Sequence, residues 1–203
     1  PDLHHVEIPD SVLCIARAGA GTNNIPVADL SERGVVVFNT PGANANAVKE
    51  LVLLGVLLSA RNVPAALGFV RNLTGDDAEF SVAVERGKKA FVGWELPDRT
   101  LGVIGLGSIG VSVANAAAAL GMKVLGYDQH ITIEHAWRLA PTFERASSVE
   151  EVCRKADVIT VHVPLVDSTR SLINTERLAL MKTRAVLLNF ARDGIIDPGA
   201  LAR

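Results

Sequence analysis

Thr100 to Asp128 reads TLGVIGLGSIGVSVANAAAALGMKVLGYD, and this stretch decides the fold. A short apolar run, Leu101 to Gly105, leads into Gly105, Gly107 and Gly110 in G-x-G-x-x-G register, and an alanine-rich, helix-forming run follows at once. A strand feeding a helix through such a turn is the context that gives the motif its meaning. The three glycines have separate tasks. The first permits the tight turn, the second lets backbone approach a pyrophosphate, and the third lets helix pack against strand, with free helix N–H groups facing the anion. Ser108 and Ile109, inside the turn, are expected to contact that pyrophosphate through backbone N–H groups, Ser108 also through its hydroxyl. The second strand, KVLGYD, ends in Asp128, eighteen residues after Gly110, where a carboxylate accepts hydrogen bonds from the adenosine ribose hydroxyls. Negative charge there repels the 2′-phosphate of NADP, so NAD is the expected cofactor. The competing reading is a glycine-rich turn with a surface Asp after a strand.

Working outward, short β-branched runs alternate with longer helical segments, the pattern of a parallel sheet covered by helices. The fold class is α/β, a Rossmann-type doubly wound parallel sheet. Strands are expected at 12–16, 35–38, 101–105, 123–127, 157–161 and 185–189. A long helix is expected to start near Asn44, capped by Asn44 or Asn46, and to run through ANAVKELVLLGVLLSAR; its apolar side is broad, so it reads as a buried core helix. Between Asn62 and Arg99 the chain turns polar and reads as a helix remnant, loops and a short hairpin.

The chain has 203 residues, about half of them apolar (49%), enough for one domain and a fraction with a substantial core. A formal charge of −2 with mixed signs gives no basic stripe, so no nucleic-acid partner is expected. The longest apolar run, Leu51 to Leu58, falls well short of the roughly 18 residues of a bilayer span, so no membrane partner is expected. Cys14 and Cys153, the two cysteines, read as buried thiols in a reducing, cytoplasmic compartment rather than as a disulfide pair. No metal-ligating set is assigned.

Four further segments carry a resemblance in the right order. They are ARAGAGTNNIPVADLSERGVVVFNTPGANANAVKE (Ala16 to Glu50), GKKAFVGWELPDRTLGVIGLGSIG, VITVHVPLVDSTRSLIN (Val158 to Asn174) and LLNFARDGIID. With them the chain resembles the D-2-hydroxyacid dehydrogenase family over nearly its whole length; the Arg-Ala-Gly start and the lead-in to the glycine turn look like phosphoglycerate dehydrogenases. The resemblance implies an NAD-dependent oxidation of 3-phospho-D-glycerate by hydride transfer, a step of serine biosynthesis. Other members reduce glyoxylate, hydroxypyruvate or form D-lactate, and a non-enzymatic NAD-sensing module of this fold is the alternative of a different class. Homodimers that pair through the cofactor domain, near the long helix, are also implied.

The resemblance extends to single residues. Arg192 matches the family's catalytic arginine, whose guanidinium offers a bidentate fork to the carboxylate of a small 2-hydroxy acid. Val163 and Pro164 are expected beside the cofactor, with Phe190 and Ala191 lining its nicotinamide side. Arg17 is the candidate for gripping a substrate phosphate or carboxylate, helped by N–H groups of Ala18 and Gly19. Three positions depart from the pattern: Asp193 stands where glycine is usual, Ala20 where threonine occurs, and Ser108 where a basic residue is frequent. The family's glutamate and its proton-transferring histidine are expected beyond Arg203, which makes the chain a fragment lacking both ends. Residues 1–43 are expected to be a remnant of a smaller flavodoxin-like substrate domain and 44–203 an incomplete NAD-binding domain. His4 and His5 read as a polar leader, His130 and His135 as a surface loop, and His162 as a hydrogen-bonded structural histidine.

Overall fold

The computed structural model describes residues 2–202, which form two compact units divided between Val48 and Lys49. In the first, β1 (Cys14–Arg17), α1 (Val27–Glu32) and β2 (Val36–Asn39) make a strand–helix–strand motif. The strands pair in parallel, from Cys14 opposite Val36 to Arg17 opposite Asn39. Ile25, Leu30 and Val35 are the core, with Leu3, Ile8, Val12, Ile15 and Val37 packed around them. Both strands begin later than the apolar pattern suggests, for a hydrogen-bonding reason. The Val12 amide closes a turn on the Pro9 carbonyl and the Val35 amide closes α1 on the Leu30 carbonyl, so neither joins the ladder. Cys14 is exposed, not buried: strand alternation turns Ile15 toward the core and its neighbour outward.

The second unit opens with helices, the first of them begun in the last residues of the first unit. α2 (Ala45–Arg61) is followed by α3 (Val63–Arg71) and α4 (Asp77–Gly87), and a 3₁₀ turn over Lys88–Phe91 completes the segment. The expected loops and hairpin of 62–99 are thus helical, a correction whose cause is local. Asp76 accepts from Ala78 N and Glu79 N while Glu79 bonds back to the Asp76 amide, a reciprocal cap that starts α4 although none of its residues is buried. The burial expected of α2 is corrected too. Val52, Val56 and Ala60 are buried, but Leu51, Leu54 and Leu57 are 49%, 50% and 43% exposed, so only one side of the helix meets this unit's core. No single helix among the described residues is long and apolar enough to cross a membrane; α2 and α3 have the composition together but are bent by 65°.

The sheet comes next in sequence: β3 (Thr100–Ile104), α5 (Ser108–Ala119), β4 (Lys123–Tyr127), α6 (Ile133–Trp137), β5 (Phe143–Arg145), α7 (Val149–Lys155), β6 (Val158–Val161), α8 (Thr175–Ala179), β7 (Val186–Asn189) and α9 (Pro198–Leu201). Its five strands run parallel in the order β5-β4-β3-β6-β7. The chain moves from β3 outward to β5, then returns to the other side of β3 for β6, which places a topological switch point at β3. The four strands expected here lie within a residue of their places. Only β5 was not foreseen: three residues paired solely with β4 are too short to carry a periodic signal. All four residues of β6 are buried, as are the last four of β3, as both faces of a helix-covered parallel sheet require. Beneath α7, the core gathers Ile104, Leu125, Val152, Cys153, Ile159 and Val161 with Ile173 and Ile195 from the loops. Burial there raises the Cys153 thiol pKa.

Candidate active site

The register sets the site. Ile104 stands opposite Tyr127 on one side and Val161 on the other, and Val161 stands opposite Asn189. The residues leaving these four strands, Gly105, Asp128, His162 and Phe190, therefore emerge along one carboxyl edge of the sheet, where open α/β sheets bind their ligands. Short bonds stitch that edge together: the Gly105 amide donates to Tyr127 O at 2.8 Å and the His162 amide to Ile104 O at 2.7 Å.

The three glycines are glycines for different reasons. Gly105 has φ +94°, and a Cβ there would also lie 2.8 Å from the His162 backbone. A Cβ on Gly110 would lie 1.9 Å from the Gly105 carbonyl oxygen, so the start of α5 rests directly on the turn. Gly107 differs. Its φ is −74°, ordinary for any residue, and a Cβ there would meet nothing within 4 Å. No contact inside the protein demands glycine at 107; it keeps clear the space in front of the α5 N-terminus. That terminus has no side-chain cap, as is also true of α1 and α3, while Asp76, Thr132, Ser148, Asn174 and Asp197 cap α4, α6, α7, α8 and α9. An uncapped N-terminus of a 12-residue helix behind a cleared approach fits a pyrophosphate, through N–H donors and the helix dipole. NAD thus has a cradle that these residues match.

Asp128 is bound into the same turn. One carboxylate oxygen accepts from Leu106 N at 2.6 Å and the other from His130 N at 2.7 Å. These bonds fix the carboxylate at the end of β4 and still leave it acceptor capacity, since a carboxylate offers about four lone-pair sites. His135 is not in a surface loop as expected. It lies on α6, where the Thr132 hydroxyl caps its amide, and its Nε2 is 3.5 Å from Ser108 Oγ. A pair 27 residues apart leaves no periodic trace in the sequence, so only the fold discloses it.

Beyond β6, Val163 reaches the glycine turn: its Cγ1 would stand 3.0 Å from a Cβ on Gly105. Pro164 heads an exposed loop whose carbonyl accepts from the Thr169 hydroxyl. His162 Nε2 lies 3.0 Å from the buried Thr160 hydroxyl, and burial pushes its imidazole pKa down to about 4. It is neutral at physiological pH and engaged in the strand, as a structural histidine is. After β7, the Phe190 ring leans on α2, within 3.3 Å of where a Cβ on Gly55 would be, and Ala191 packs on the core. Asn189 holds the following loop, accepting from Ala191 N at 3.0 Å and donating to Arg192 O at 2.7 Å. Arg192 is exposed, its Nη1 donating, among the described residues, to the Ala191 carbonyl. The unusual Asp193 turns to the Gly194 amide at 2.9 Å and, among the described residues, makes no ion pair with Arg192.

Arg17 belongs to the first unit. Its Nη1 donates to Asn24 Oδ1 at 2.6 Å, and its Nε is buried without a partner. The expectation that the Gly19 N–H faces a substrate needs correcting: that amide donates to Thr40 Oγ1 at 2.8 Å and to the Arg17 carbonyl. At φ +146°, Gly19 shapes the turn instead. Ala18 is exposed beside it.

Sheet order, switch point and glycine turn define a dinucleotide-binding domain of the doubly wound class. Residues 63–203 match the family described as D-isomer specific 2-hydroxyacid dehydrogenase, NAD binding domain, and the chain belongs to that family. Among curated relatives, D-3-phosphoglycerate dehydrogenase of Methanocaldococcus jannaschii is 40% identical over 97% of this chain, and hydroxypyruvate reductase of Thermotoga maritima 37% identical over 97%. The chain spans 35% and 58% of those two proteins' lengths. Among solved structures, D-mandelate dehydrogenase of Rhodotorula graminis superposes with a TM-score of 0.78 at 33% identity, over 96% of this chain and 55% of that one. D-lactate dehydrogenase of Aquifex aeolicus, solved with NAD and lactic acid, gives 0.75 at 29% identity, over 93% and 52%.

Proposed function

We propose that the protein is an NAD-dependent D-2-hydroxyacid dehydrogenase that oxidises 3-phospho-D-glycerate to 3-phosphohydroxypyruvate. The observation that carries the substrate is the similarity to D-3-phosphoglycerate dehydrogenases, 40% and 36% identical over 92% and 94% of the chain in the Synechocystis and Bacillus subtilis proteins. The similarity to the Thermotoga hydroxypyruvate reductase favours a second reading, reduction of hydroxypyruvate. The two separate by comparing kcat/KM for 3-phosphoglycerate oxidation and hydroxypyruvate reduction, followed by NADH absorbance. A preference of about tenfold or more for the phosphorylated pair supports the proposal; better turnover of the unphosphorylated acid overturns it. NAD binding without turnover of either acid, in a protein that lacks a histidine beyond Arg203, would point to a sensing module.

Bound nicotinamide supplies the hydride-accepting chemistry. Arg192, exposed and bonded among the described residues to its neighbour's carbonyl alone, holds the substrate carboxylate in a bidentate fork and polarises the reacting centre. Arg17, with its unpartnered Nε, takes a substrate anion. Asp128 accepts from the ribose hydroxyls. Asp128→Ala is expected to narrow the preference for NAD over NADP by about tenfold or more, the loss of hydrogen bonds to a charged group. Because Leu106 N also loses its acceptor, Asp128→Asn serves as a control that keeps an acceptor oxygen without the charge. An unchanged NAD-to-NADP ratio of kcat/KM in both variants would remove the role.

Beside Leu51, Leu54 and Leu57 of α2, α3 and α4 also expose apolar side chains, with Val63, Leu67, Val70, Phe80 and Val82 at 38–49%. Monomers rarely leave large apolar area in water, and a second copy is the proposed cover. Leu54→Asp is expected to shift the protein from dimer to monomer in light scattering, with its melting cooperativity kept. A parent protein already monomeric at micromolar concentration would refute the pairing.

A further inference from the structure

The short helix α6 reverses the usual order of exposure. Of its residues Ile133, Glu134, His135, Ala136 and Trp137, all are exposed except His135, with Ile133 at 78% and Trp137 at 84%. Packing alone would turn the isoleucine or the tryptophan inward and leave the imidazole in water. The one residue turned in has its Nε2 3.5 Å from Ser108 Oγ, at the first position of α5, where no side chain caps the helix and the space before Gly107 is clear. A separation of 3.5 Å is loose beside the 2.7–2.8 Å of a well-made hydroxyl bond. Neither group satisfies the other, so both keep capacity for a third partner.

The chemistry of that partner follows from the surroundings. α5 carries no ionisable side chain anywhere in SIGVSVANAAAA, so the anion-binding end of the helix has N–H groups and a dipole but no basic residue of its own. The loop entering α6 contributes Asp128, whose oxygens are held by Leu106 N and His130 N, and His130. α6 itself adds Glu134 and, at its end, Arg138. His135 is the ring donor that reaches Ser108. We propose that His135 is a binding residue for the phosphate-bearing part of the dinucleotide, donating from Nε2 beside the Ser108 hydroxyl. This rests on the reading of the site as an NAD cradle.

Calorimetry on the 203-residue chain, with NAD, ADP-ribose and adenosine as probes, tests it. His135→Ala is expected to weaken NAD and ADP-ribose about tenfold, the range for a hydrogen bond to a charged group, and to leave adenosine unchanged. His135→Gln, which keeps a nitrogen donor at similar reach, is expected to recover most of the loss. Equal weakening of adenosine, or no rescue by glutamine, would make the residue a structural prop and overturn the inference. So would unaltered NAD binding by His135→Ala in a chain whose parent binds NAD. A parent that binds neither NAD nor ADP-ribose overturns the cradle itself, and the inference with it.

Discussion

Arg192→Ala, in the protein that also carries the expected histidine and glutamate, is expected to lower turnover of the 2-hydroxy acid by about 10²–10³-fold, the range for removing one preorganised charge-stabilising donor, with NAD affinity within about twofold of the parent. The two effects separate because of where the residue sits. Its backbone is held by Asn189, which donates to the Arg192 carbonyl and accepts from Ala191 N, so the loop after β7 does not depend on the guanidinium. Among the described residues the side chain makes one bond, to the Ala191 carbonyl, and its loss leaves no fully buried group unpaired. Arg192→Lys is expected to recover little, since an ammonium cannot reproduce the planar fork. Asp193→Gly offers a control on the neighbouring acid: that carboxylate serves the Gly194 amide and not Arg192, so turnover is expected to change far less. Steady-state kinetics with NAD titrations decide it. Parallel loss of NAD binding in Arg192→Ala would assign the residue to the cofactor instead.

The core of the fold was legible because β3, α5 and β4 are written in consecutive sequence with contrasting periods and a glycine turn between them. What escaped notice lacks that advantage. α4 mixes polar and apolar residues with none of them buried, and it is begun by the Asp76–Glu79 cap, a signal of two residues in a stretch whose polar flanks read as loop. β5 exists only as an edge on β4. The exposed leucines of α2 follow a helical period faithfully, but period gives the width of an apolar stripe and not which part of it the same chain covers. At the site, residues that follow strands could be named from the sequence, because the parallel register brings every strand end to one edge. Three details could not. His135 reaches Ser108 across a loop and a short helix, the Gly19 amide is drawn into its own turn by Thr40, and Asp193 faces Gly194; each depends on where a side chain points, which spacing does not encode.

Two alanine substitutions three residues apart are expected to fail in opposite ways. In Gly110→Ala the new Cβ would lie 1.9 Å from the Gly105 carbonyl oxygen and 3.0 Å from its carbonyl carbon. Both are backbone atoms of a turn already fixed by the Tyr127 carbonyl, so the helix must lift off the strand. Overpacking of this kind costs roughly 1–3 kcal/mol or more, which for a unit of this size lowers the melting temperature by about 3–10 °C. In Gly107→Ala the Cβ meets nothing within 4 Å and φ is −74°, so melting is expected to stay within about 2 °C of the parent; replacing glycine where alanine fits even reduces the entropy of the unfolded chain. NAD affinity is where that variant fails, by about tenfold or more, because the methyl group occupies the approach to the uncapped helix N-terminus and separates an anion from its N–H donors. Scanning calorimetry with and without NAD reads both effects. A Gly107→Ala protein that binds NAD as tightly as the parent would mean that the cofactor does not approach α5 over this glycine, and the assignment of the turn as the pyrophosphate cradle would fall.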